Sequence, residues 1–225
     1  MIRLFFIIVA SLLAPPLYAG SCDSFYPLGK HVSVENGVEL CSSFYVVQFD
    51  TNINGAIFSS ELFPEVKHTP RTNDFHPDTR LPQANQATNA DYAKSGYDKG
   101  HLTPADDADD AEQEHDTFLL SNMTPQLATV NRLSWKELEM QVRKTPPDYV
   151  LTGALYHESN KTIGKHKVPV PYGYYKVVYK GCDISAYYAD NIDKAPVIAV
   201  TLELIEGKSA IHFPRCNEDA IAQVQ

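Results

Sequence analysis

One stretch constrains the fold more than any other: Asn131 to Lys144, Asn-Arg-Leu-Ser-Trp-Lys-Glu-Leu-Glu-Met-Gln-Val-Arg-Lys, puts Trp135, Leu138 and Val142 on one face at helical spacing. Pro146-Pro147 stops it. Strand-like runs lie on both sides of this helix. Phe44 to Asp50 and Ala56 to Phe63 flank an Asn52-Ile53-Asn54-Gly55 turn and predict a hairpin. Beyond the helix, Asp148 to Leu155, Tyr174 to Tyr179, Ile184 to Tyr188 and Ala195 to Leu204 are rich in Val, Ile and Tyr. Strands on either side of one central helix predict an α+β domain built on a largely antiparallel sheet. Between the hairpin and the helix, Lys67 to Asp91 is polar, carries Pro70, Pro77 and Pro82, and reads as a long irregular loop of the kind that is more often functional than decorative.

The first residues set the compartment. Met1-Ile2-Arg3 precedes an apolar run from Leu4 to Leu13, and a small residue stands at Ala19. That is the pattern of a secretory signal peptide over residues 1–19, with a single domain over 20–225. A ten-residue run is too short for a bilayer that needs about 20 residues, so the expectation is an exported chain, periplasmic or extracellular, with no membrane anchor. Cysteines at 22, 41, 182 and 216 then predict disulfides. Four cysteines allow three pairings, and their clustering favours Cys22 with Cys41 and Cys182 with Cys216. No Cys-x-x-Cys spacing is present, which argues against a zinc or redox motif.

Of 225 residues, 19 are Lys or Arg and 28 are Asp or Glu, for a net charge of −9, and 44% are hydrophobic. This excludes disorder and multi-span membrane proteins. It also argues against a protein that grips nucleic acid and holds it, since such binding runs on phosphate neutralisation. An enzyme that must release its product is not excluded. Five lysines lie between Lys161 and Lys180, with Tyr172, Tyr174, Tyr175 and Tyr179 among them and no acid; that window is the candidate for a local basic groove that could stack bases. The run from Asp106 to Asp116 holds seven acids and reads as a solvated loop that keeps a polyanion from docking on its side.

The densest polar constellation is Asp98-Lys99-Gly100-His101, followed by Leu120-Ser121-Asn122-Met123-Thr124-Pro125-Gln126 and then the helix opening at Asn131. If the first block is extended, Lys99 and His101 share a side and Gly100 leaves room for a ligand to approach the backbone. His101 has the side chain suited to general-base work near neutral pH. Asn131 and Glu139 are eight residues apart, about 12 Å of rise and roughly 80° of rotation on an α-helix. They therefore cannot both ligate one ion directly. Side chains tilt toward the helix N-terminus, so the consistent arrangement is Asn131 as an inner-sphere oxygen ligand and Glu139 reaching the ion through water. Few protein ligands and many waters suit Mg²⁺.

The three blocks together resemble the DNA/RNA non-specific endonucleases of the Serratia type, in the ββα-metal or His-Me finger group, over about Phe44 to Phe213. The resemblance implies a ββα-metal catalytic motif with flanking helices and a Mg²⁺ cofactor, with Mn²⁺ or another divalent ion able to substitute. It also implies DNA and RNA as substrates and no obligate protein partner. It places His101 as general base, Asn131 as the direct metal ligand and Glu139 on the metal's water shell. Asn122 falls on the asparagine that helps shape the site, and Arg71 on an arginine thought to contact phosphate; Arg80 lies nearby, and spacing favours Arg71. Arg132 and Lys99 join Arg71 as substrate-binding candidates. The family's first block normally reads Asp-Arg-Gly-His, so Lys99 keeps the charge but loses the planar two-pronged grip. Two other readings are a catalytically weak binding module of the same fold and a phosphodiesterase acting on something smaller.

Overall fold

The structure is a computed structural model that describes residues 22–64, 69–159 and 161–216. The expected export segment, residues 1–19, lies outside the described residues. Strands Gly37–Cys41 (β1), Tyr45–Asp50 (β2) and Gly55–Leu62 (β3) come first. The predicted hairpin is β2–β3. Its turn closes because the Asp50 carboxylate accepts a 2.7 Å hydrogen bond from the Asn52 amide and Asn54 takes the positive φ (57°) that asparagine tolerates. From Thr69 the polar stretch stays irregular, apart from a 3-10 turn at Gln83–Asn85, up to a short helix, Asn89–Tyr92 (α1), whose Thr88 and Asp91 form a capping box. Asp98–His101 (β4), Ala111–Thr117 (α2), Met123–Gln126 (β5) and Lys136–Lys144 (α3) carry the chain to the far half of the sheet. That half comprises Tyr149–Leu155 (β6), Thr162–Ile163 (β7), Val168–Pro169 (β8), Gly173–Lys180 (β9), Asp183–Asp190 (β10) and Ile198–Val200 (β11), and Leu202–Ser209 (α4) follows.

Seven strands form one antiparallel sheet in the order β1-β2-β3-β6-β9-β10-β11. Both its faces are covered. On one, Val47, Phe49, Tyr174, Trp135 and Leu138 pack together; on the other, Val46, Phe58, Tyr175, Val177, Ile205 and Phe213 do. Adjacent residues such as Val46 and Val47 point into different cores, which is why β2 reads as an unbroken apolar run rather than an alternating one. Cysteines pair as Cys22–Cys41 and Cys182–Cys216, as their clustering predicted. Among the described residues no helix is long and apolar enough to cross a membrane.

Four expectations need correction. Ala195 to Leu204 is a strand only over Ile198–Val200; Thr201 then accepts a hydrogen bond from the Leu204 amide at 3.3 Å and starts α4. An N-cap outweighed a β-branched run there. The acidic run is not one solvated loop: Asp110 caps α2, and Asp107 and Glu114 are buried. In the Lys161 to Lys180 window, Tyr174, Tyr175, Lys176 and Tyr179 are at most 1% exposed within β9 and so offer no surface on which bases could stack. Finally, the helix predicted from Asn131 opens as a π-helical segment, Val130–Trp135, before α3. Such π turns occur frequently at functional sites.

Candidate active site

Strands β4 and β5 form an antiparallel ribbon off the main sheet, with Asp98 opposite Gln126 and His101 opposite Met123. Side chains alternate along β4, so Lys99 and His101 emerge on one side. Gly100 faces the other way, where a Cβ would come within 2.3 Å of the Gln126 side chain. Its small size therefore accommodates Gln126, not an approaching ligand as the sequence suggested. From β5 the chain runs through Leu127 into the π turn, which lays Asn131 alongside Asp98.

Beside this ribbon lies a cleft of about 560 Å³, lined by His101, Lys99, Asn131 and Glu139 together with Arg71 and Arg132. Six of the seven site residues expected from sequence thus meet in one cavity. The seventh, Asn122, does not line it. It is fully buried, donating to the carbonyls of Thr103 and Thr117 (both 2.9 Å) and accepting from the Thr103 amide (3.0 Å), so it ties the chain just after His101 to the end of α2.

His101 sits edge-on to Phe118 and near Phe75, with ring centroids 5.2 and 5.7 Å away. Its Nε2 is buried and has no hydrogen-bond partner. Desolvation, helped by the charges of Arg71 and Lys99, pulls its pKa down to about 3. The imidazole is therefore neutral at ordinary pH, as a proton acceptor must be.

Asn131 donates from Nδ2 to Asp98 at 3.0 Å, and this fixes its amide so that Oδ1 is the free end. Asp98 also takes two hydrogen bonds from Arg132, at 2.7 Å from Nε and 2.6 Å from Nη2. Burial raises the Asp98 pKa, but the Arg132 and Asn131 hydrogen bonds outweigh it and hold the carboxyl below its usual range. Sequence reasoning gave Asp98 no role, although it opens the first block. Arg132, expected to bind substrate, lines the cleft with its fork committed to Asp98.

Glu139 is half-buried, and its pKa is pushed up to about 7 by desolvation and by Asp107, against the pull of Lys176 and Arg143. Those cations form a buried layer behind α3. Arg143 pairs with Asp107 at 2.7 Å, and Lys176 donates to the Thr152 hydroxyl at 2.6 Å. A carboxyl raised in this way is one that a cation in the cleft would return to its charged form. The free Asn131 oxygen and the Glu139 carboxyl are hard donors of the kind Mg²⁺ takes, so these residues fit the implied metal.

Opposite the ribbon, Arg71 is steered by an Nε hydrogen bond to Asn73 (2.8 Å) and stands 3.7 Å from Asp106. Arg80 is not the cleft arginine. It is paired with Asp78 at 2.6 Å and bonded to the Cys41 carbonyl, outside the cleft. Lys99 lies over the Phe75 ring at 4.2 Å. Asp106, from the acidic run, turns into the cleft rather than away from it.

A two-stranded ribbon that ends in histidine and leads into a helix whose opening asparagine faces the same cleft is the ββα-metal arrangement. The chain belongs to the DNA/RNA non-specific endonuclease family, whose sequence model matches residues 29–198. It is 34% identical to mitochondrial endonuclease G of Bos taurus over 198 residues, which covers 75% of this chain and 66% of that protein. It is 30% identical to mitochondrial nuclease 1 of Schizosaccharomyces pombe over 204 residues, covering 75% and 63%. The solved EndoG/EndoGI complex, a structure concerned with EndoG inhibition, superposes with a TM-score of 0.72 at 26% identity, over 89% of this chain and 92% of that one. The chain spans about half to two thirds of the length of the first curated relatives it matches.

Proposed function

We propose that this chain is an exported, Mg²⁺-dependent endonuclease that hydrolyses phosphodiester bonds of DNA and RNA without sequence specificity. The observation that carries the reading is the convergence of a neutral histidine, a fixed carboxamide oxygen and the cations Arg71 and Lys99 on one cleft. Export is supported by the N-terminal pattern and the two disulfides, although several relatives are named as mitochondrial.

Arg71 and Lys99 draw the scissile phosphate into the cleft and hold its non-bridging oxygens. Their pairing with phosphate also removes the positive charge that depresses His101, so the imidazole gains basicity as substrate docks. With Nε2 buried, Nδ1 is the nitrogen that takes the proton from a water attacking in line with the leaving oxygen. Asn131 Oδ1 would hold the metal directly and Glu139 would reach it through water; when bound, Mg²⁺ would supply charge stabilisation for the phosphorane-like oxygens and the leaving oxygen. No covalent enzyme intermediate is needed.

A gel assay of purified protein on plasmid DNA and on RNA, with Mg²⁺ and with EDTA, tests this. Cleavage of both that EDTA abolishes is the expected result. Binding without EDTA-sensitive cleavage would indicate the binding module, and hydrolysis of a bis-nitrophenyl ester without plasmid nicking the small-substrate phosphodiesterase.

A further inference from the structure

Outside the cleft, on the surface where the irregular segment meets α2, three ligand-bearing side chains converge. The carboxylate of Asp74 and one ring nitrogen each from His76 and His115 all lie within 4.8 Å of one another. The two imidazoles stack, with centroids 4.2 Å apart and planes 23° apart.

We propose that Asp74, His76 and His115 form a binding site for a borderline divalent transition metal of the Zn²⁺ class. Two imidazoles and one carboxylate, with a fourth position for water, are a donor set that Zn²⁺ takes. Three features prepare the site. His76 Nδ1 stands 2.7 Å from the Asp74 carbonyl oxygen, so that nitrogen carries the proton and Nε2 is left as the donor; a backbone carbonyl orienting a ligating imidazole is a recurrent feature of metal sites. The main chain of His76 is clamped to the end of α2, its amide donating to the Phe118 carbonyl at 3.2 Å and its carbonyl accepting from Leu120 at 2.8 Å. The other flank is clamped as well. Buried Glu114, the neighbour of His115, accepts from the Thr72 amide at 2.7 Å and from the Thr72 hydroxyl, and Thr72 Oγ1 lies 3.4 Å from the Asp74 amide.

Tetrahedral ligands about 2.1 Å from a Zn²⁺ ion stand roughly 3.4 Å apart, so atoms that all lie within 4.8 Å of one another need close by no more than about 1.4 Å. Asp74 and His115 are exposed, so no packed neighbour holds their side chains against such a turn. Occupation would tie the segment carrying Arg71, Asn73 and Phe75, all of which line the cleft, to α2. The site shares no ligand with that cleft.

Zn²⁺ titrated calorimetrically into the full chain carrying Asn131→Ala, which disables the catalytic cleft, tests the site. One ion should bind, and its Kd should rise at least about tenfold when His115→Gln or Asp74→Asn is added. At Zn²⁺ a hundredfold above Kd, thermal unfolding should move up by about 5–10 °C, and this shift should vanish in the His115→Gln protein. If His115→Gln lowers stability without metal, the Asp74→Asn protein decides. Absence of binding, or binding whose Kd neither His115→Gln nor Asp74→Asn raises, would overturn the proposal, the latter because the ion would then sit elsewhere on the chain.

Discussion

Replacing Asp98 by asparagine separates orientation of Asn131, the proposed metal ligand, from stability of the fold. Asp98 keeps Asn131 Oδ1 free by accepting its Nδ2 at 3.0 Å, while the Arg132 fork holds Asp98 at 2.7 and 2.6 Å. In Asp98→Asn the shape is kept, but an amide nitrogen replaces one acceptor oxygen and must face donors that already crowd it. The Asn131 amide then loses its reason to point one way. The structural cost is small, since one partly exposed hydrogen bond contributes about 1 kcal/mol, or about 2–4 °C in Tm for a chain of this size. The cost at the metal is larger, because removing the group that orients a ligand typically lowers metal affinity 10- to 100-fold, about 1.4–2.7 kcal/mol. Cleavage rate measured against Mg²⁺ concentration should therefore show a half-saturating concentration raised by that factor, with much of the rate recovered at high Mg²⁺. A melt without metal should be nearly unchanged. If half-saturation stays at the wild-type value while the rate at saturating Mg²⁺ falls, Asp98 does not act through Asn131 and the reasoning fails.

His101→Ala should lower the rate by about 10²- to 10⁴-fold and leave Tm close to wild type; equal loss of folding would assign His101 to the core instead. Lys99→Arg should raise kcat/KM by restoring a forked grip on phosphate, whereas unchanged or lower turnover would mean that the cleft is shaped around the Lys99 contact with Phe75. Asp91, buried beside His166, is raised by burial but held at about 2 by its hydrogen bonds from His166 and Thr88. Its folded pKa lies below the unfolded 3.8, so the unfolded state binds more protons between them. The stability it contributes is complete above about pH 4 and is lost as pH falls toward 2; urea midpoints across that range should decline more steeply in wild type than in Asp91→Asn.

Much of the site was legible because its chemistry is local. Lys99 and His101 share a side by strand alternation alone, and Asn131 with Glu139 needed only helical geometry and donor chemistry to suggest a hydrated ion. What stayed hidden depended on neighbours distant in sequence. Gly100 looked like room for a ligand until Gln126 occupied that room. Lys176 and the tyrosines around it had the composition of a nucleic-acid surface, yet β9 is the strand between β6 and β10 and has both faces covered. The acidic run looked solvated, but Arg143 draws Asp107 inward and Glu114 grips Thr72.

The order of strands around a central helix, the two cysteine pairs and the three chemical blocks follow from periodicity, residue type and spacing along the chain, which are properties of neighbouring residues. Which arginine faces the cleft, what fixes the Asn131 amide, and why His101 stays neutral are set by groups that only packing brings together, such as Asp98 for Asn131 at a separation of 33, and Arg71 and Phe118 for His101. Desolvation and hydrogen-bond direction exist only once the chain has closed around them. A linear pattern can name the chemical groups, but only packing can set their charge and aim.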